Sequence, residues 1–132
     1  MIDSSPAPLD GPLSTAEVQR LDATLLPALE RHQLRLLAHG LRSLQDAADR
    51  RQGALPEAEQ LELWLQRQPQ LQVDPDFLTP FREQLLALGR QLERIAADQG
   101  CTPLGLELSD LIRWSEEQAR QRIAALQDAE PR

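Results

Sequence analysis

At 132 residues and 14.8 kDa the chain has the size of one domain, and its leucine-rich, β-branch-poor composition favours helices over sheets. A net charge of −7 repels phosphate backbones, and with aromatics at 3% and no tyrosine the platforms that stack bases are nearly missing, so nucleic acid is not an expected partner. Cys101, the single cysteine, excludes an intramolecular disulfide; no uncharged apolar run approaches membrane-spanning length, and residues 1–12 lack the features of a signal peptide, so a cytoplasmic protein without membrane insertion is expected.

Residues 1–12, with three prolines, two serines and a glycine, predict a flexible tail. Ser14-Thr15-Ala16-Glu17 then fits a reciprocal capping box, with Leu13 and Val18 as its hydrophobic staple, and opens a short helix whose stripe is Val18, Leu21 and Leu25. Pro27 either ends that helix or sits in the first turn of the next, with Thr24 as the cap. A long second helix, about 25–51, carries the seam Leu34, Leu37, Leu41, Leu44 and Ala48, and a second apolar set of Leu29, Leu36, Gly40 and Ala47. Gly40 in its middle implies a close approach by another element, and Gly53 is placed to stop it.

Pro56 opens a third helix with Glu57, Glu59 and Glu62 near its positive end and Leu61, Trp64 and Leu65 buried. It closes before Pro69, and residues 68–73 read as an extended connector. After a short turn at Asp74-Pro75, a fourth helix carries Leu78, Phe81, Leu85, Leu88, Leu92 and Ile95 at alternating spacings of three and four and ends at Gly100. Thr102-Pro103 makes a capped turn, and Ser109 caps a final helix to about Gln127 with Ile112, Ala119, Ile123 and Leu126 on one side. Trp64, Trp114, Phe77 and Phe81 all fall at predicted core positions. The expected architecture is all-α: a compact antiparallel bundle of four main helices plus a short N-terminal one, a single domain over 13–128, with residues 129–132 a flexible end. The apolar stripe of the last helix, at the edge of so small a bundle, leads us to expect a homodimer.

The most distinctive cluster lies on the second helix. Five arginines, 31, 35, 42, 50 and 51, outnumber Asp46 and Asp49 in a segment flanked by acidic stretches. At about 100° per residue, Arg31, Arg35 and Arg42 fall within roughly 40° of one another, with His32 and His39 beside them. Guanidiniums in a line suit bidentate binding of carboxylates, so this face is the candidate site for an acidic protein partner; alternatively it pairs with the acidic third helix or faces water. The histidines, seven residues apart, are about 10 Å apart along the axis and cannot share one metal ion. No cofactor, metal or catalytic residue is indicated, and the pairs Asp49 with Glu57 and Glu116 with Glu117 read as solvated faces.

Residues 96–112 have the alanine-to-glycine spacing of a helix-turn-helix, but Glu107 and Asp110 stand in the recognition segment with only Arg113 for phosphate. A non-enzymatic interaction or regulatory module is therefore expected, the alternatives being a small-molecule or pigment-binding bundle and a DNA-binding regulator. The segments Arg31–Gln45, Gln91–Ala96 and Thr102–Ile112 resemble a family of small uncharacterised all-helical proteins of cyanobacteria. That resemblance implies a bacterial cytosolic setting and an accessory role around the photosynthetic apparatus or its regulation. It carries no functional residue.

Overall fold

A computed structural model of the chain describes residues 13–129; the predicted tail, residues 1–12, and the last three residues lie outside them. The described residues are all-α, without a strand, in six α-helices: α1 (Thr15–Asp22), α2 (Ala28–Ala48), α3 (Ala58–Gln66), α4 (Pro69–Val73), α5 (Leu78–Gln99) and α6 (Leu108–Ala129). They fall into two compact units, one made of residues up to Ala38 and from Glu107 onward, the other of His39–Leu106.

In the first unit the capping box of α1 forms as its sequence predicts: the Glu17 N–H donates to Ser14 Oγ and the Ser14 N–H to Glu17 Oε1, both at 3.1 Å. A cap of this kind contributes about 1 kcal/mol. Leu21 is buried, but Leu25 is fully exposed and Leu26 is buried in its place. The reason is that α1 stops at Asp22. Thr24 turns its hydroxyl back onto the Leu21 carbonyl, 2.8 Å, so it closes α1 and does not open α2, and the stripe's period is broken before Leu25. Helix α2 starts after Pro27, whose carbonyl accepts the Arg31 N–H at 2.9 Å.

Helix α6 also departs from its prediction. Its cap is Glu107, not Ser109: the Glu107 N–H donates to Asp110 Oδ2 at 2.9 Å. Its buried stripe is Leu108, Leu111, Ser115 and Ala119, while Ile112 is only half-buried and Ile123 and Leu126 are exposed. Ser115, being polar, hid the true stripe from a hydrophobicity count.

In the second unit the seam of α5 is borne out from Leu85 onward: Leu85, Leu88, Leu92 and Ile95 are buried, Leu78 and Phe81 only half-buried, and the helix ends at Gly100 in the left-handed conformation, φ 75°. Leu61, Trp64 and Leu65 of α3 are buried as expected. Residues 69–73 are helical, not extended, because Pro69 supplies a preset first-turn φ and Leu71 has a core position to fill. Trp64 donates its Nε1–H to Asp46 at 2.6 Å, and its ring lies 6.1 Å from Phe81. Phe77, predicted as core, is 44% exposed and stacks on Phe81 at 5.5 Å.

Gly40 behaves as its position demands. A Cβ there would stand 2.8 Å from Leu88 Cδ1, so the missing side chain is what lets Leu88 of α5 seat against α2. The helix stops earlier than expected, at Ala48, with Asp49 taking the left-handed conformation, φ 57°, before Gly53 is reached. Gly53 instead shapes a loop that meets a second one. The Gly53 N–H donates to Thr102 Oγ1 at 2.9 Å, the Leu104 N–H to the Gly53 carbonyl at 3.1 Å, and Gln45 reaches the Leu104 carbonyl at 2.8 Å.

Candidate functional site

The division between the units falls inside α2, so the predicted cationic residues are shared out: Arg31, His32 and Arg35 belong to the first unit, His39 and Arg42 to the second. The Arg31 side chain makes no hydrogen bond or ion pair with any other described residue, and His32 is exposed. Arg35 Nη1 lies 3.1 Å from Asp22 Oδ1 of α1, with both side chains about half exposed. An ion pair in that setting is screened by water and contributes only about 0–1 kcal/mol. Arg35 can therefore exchange Asp22 for an outside carboxylate at small cost. Arg42 is held more firmly: its Nη1 donates to Gln45 Oε1 at 2.8 Å, and Gln45 is itself buried. Glu62 of the acidic third helix is taken by Arg82 through two bonds of 2.6 and 2.8 Å.

A second feature of the first unit was not predicted. Leu29 and Gln33 of α2, four residues apart and hence on one face, stand opposite Trp114 and Gln118 of α6, spaced the same way. Between them is a groove of about 210 Å³, lined also by Glu30 and Ser115. The side chain of Glu30 is 8% exposed and is gripped by Arg122, Nε to Oε2 at 2.6 Å and Nη2 to Oε1 at 2.9 Å. These charge-assisted bonds hold the Glu30 carboxyl below the usual carboxylate range, although its burial acts the other way. Ser115 is 1% exposed, and its Oγ has no hydrogen-bond partner among the described residues.

The signal for this groove was partly present in the sequence. The repeated Leu-Gln and Trp-Gln spacings were visible, but the pairing of Glu30 with a residue 92 positions away has no local signature. Trp114, predicted as core, forms one wall of the groove and is half-buried.

Other candidate chemistry finds little support in the geometry. Among the described residues no three His, Cys, Asp or Glu side chains gather as a metal site would, and no helix is long and apolar enough to cross a membrane. In the segment with helix-turn-helix spacing, Leu104 and Leu106 are buried, Pro103–Gly105 is a short 3-10 turn, and Arg113 donates to Asp110 at 2.7 Å.

A model of the family described as NDH complex assembly factor CRR9 matches residues 13–122. The chain belongs to that family. The match takes in both units and every candidate site residue, and it gives a specific family where three segments offered only a resemblance. No curated protein and no solved structure matches the chain. Membership in the CRR9 family speaks for an accessory role carried by contacts with other proteins.

Proposed function

We propose that the chain takes part in assembling an NDH complex without catalysis of its own, by holding an acidic stretch of a partner protein on the first turns of α2. Family membership supports the assembly role. The observation that carries the choice of surface is the state of its cations: the Arg31 guanidinium has no partner among the described residues, and that of Arg35 has only the weak, half-exposed pair with Asp22. Together with His32 they offer up to ten guanidinium N–H donors and an imidazole on one edge of a helix, in a protein whose overall charge is negative. An acidic partner segment gains bidentate bonds there, while the remaining negative surface repels misplacement. His39 and Arg42 are left out of this reading because Arg42 is engaged within the second unit.

The test is co-purification of the tagged chain with subunits of the NDH complex at low and high salt. The subunits should be retained at low salt, released at high salt, and absent when Arg31→Glu and Arg35→Glu are combined. Equal retention by the reversed variant would remove this surface from consideration.

A further inference from the structure

Asp22 is the last residue of α1, at the end where the helix dipole is negative and an anion is disfavoured. The closure of α1 makes no use of its side chain: the Ala23 N–H bonds the Gln19 carbonyl at 3.0 Å, and the Thr24 hydroxyl bonds the Leu21 carbonyl. Among the described residues the carboxylate of Asp22 bonds only Arg35, Nη1 to Oδ1 at 3.1 Å. Both side chains are about half exposed, so an incoming anion can reach the pair, and the pair is too weak to shut it out. The Arg31 guanidinium, one turn away and about 6 Å along the axis, has no such occupant. A carboxylate arriving at Arg31 meets no competition. One arriving at Arg35 must displace Asp22, and it exchanges one exposed ion pair for another.

We propose that Asp22 is a built-in competitor on the α2 surface: it holds Arg35 while no partner is bound and yields it to a carboxylate of the acidic segment. The proposal rests on the reading of that surface given above and adds its regulation. A lone acidic side chain gains from Arg31 only, whereas a segment with two carboxylates at the spacing of the guanidiniums engages both. Alternate side chains of an extended acidic strand, about 6.6 Å apart, have that spacing. Release of Asp22 leaves its charge unpaired at the negative end of α1, so binding on α2 and the anchoring of that end of α1 oppose each other.

The test is a titration of the isotope-labelled full chain with hexaglutamate, followed by NMR at the arginine side-chain signals. Salt of about 0.1 M screens charges more than about 10 Å apart. Four forms are compared: wild type, Asp22→Asn, Arg35→Gln and the two combined, and the spectra themselves report that each is folded. Asp22→Asn should bind the peptide about two- to fivefold more tightly than wild type, the range set by one exposed ion pair. In the Arg35→Gln background the same change should leave the affinity as it was, since no guanidinium remains to be freed. Equal tightening in both backgrounds would assign the effect to the general field of the aspartate, and unchanged or weaker binding by Asp22→Asn would make Asp22 a structural anchor; either result overturns the proposal. Arg31→Glu combined with Arg35→Glu separates the two readings. Hexaglutamate binding that survives this reversal contradicts the α2 surface itself, whereas binding that the reversal abolishes and Asp22→Asn does not tighten removes only the competitor.

Discussion

Arg122 closes on Glu30 through two hydrogen bonds of 2.6 and 2.9 Å and so ties the first turn of α2 to the last third of α6. The carboxylate is held below its usual range, chiefly by those bonds. A carboxyl group whose folded pKa is depressed contributes stability that is fully present above its unfolded pKa, about 4.3, and is lost as the pH falls through the folded value. Glu62, held down by Arg82, and Glu117, held down by Arg120, act in the same direction.

Stability should therefore be flat from neutral pH down to about pH 5 and fall below it. Thermal melting of the wild type and of Glu30→Gln across this range checks the claim. The variant should be less stable at pH 7 and should show a shallower acid decline, so that the two curves converge at low pH. Parallel curves would mean that the pair contributes no linkage.

The contact of Gly40 with Leu88 sets graded expectations for two substitutions. Alanine gains about 1 kcal/mol of helix propensity over glycine, but its Cβ would stand 2.8 Å from Leu88 Cδ1 and 3.2 Å from Leu88 Cβ, which is fixed to the α5 backbone, so Gly40→Ala should lose that gain and cost up to about 1 kcal/mol. Valine is bulkier still, and Gly40→Val should cost about 1–3 kcal/mol. Denaturant unfolding measures both, and Gly40→Val placed in a Leu88→Ala background should cost less than in the wild type.

Two helix ends place residues in the left-handed region, and they should respond oppositely. Gly100 has nothing within 4 Å of a would-be Cβ, so Gly100→Ala should cost only the conformational strain, about 1–2 kcal/mol. Asp49 sits there with φ 57°, and Asp49→Gly should leave stability unchanged or raise it. A loss on Asp49→Gly comparable to that of Gly100→Ala would mean that the aspartate side chain contributes more than its backbone costs.

These comparisons also mark where the sequence was informative. The α5 seam, the capping box at Ser14 and the stop at Gly100 were legible because each is set by residues within one or two turns of one another. The short helix at Pro69 was missed because its one buried residue, Leu71, is set by packing within its unit and not by a local pattern. The stripe of α6 was misjudged because Ser115 occupies a buried position, and Ile123 and Leu126 fit the period but are left exposed. At the candidate site, the arginines of α2 were visible as a pattern, whereas the release of Arg31, the pairing of Arg35 with Asp22 and the groove beside Trp114 depend on which helices meet.

The assembly reading rests on whether the α2 cations are needed where the complex is built. The direct measurement is the amount of assembled NDH complex, resolved by native gel electrophoresis, in cells lacking the chain and in cells complemented with wild type, with Arg31→Glu and Arg35→Glu combined, or with the control reversal Arg67→Glu at an exposed position of the second unit. The complex should fall without the chain, return with the wild type and the control, and stay low with the α2 reversal at equal protein abundance. Full restoration by the α2 reversal would contradict the proposed surface, and an undiminished complex in cells lacking the chain would contradict the assembly role itself.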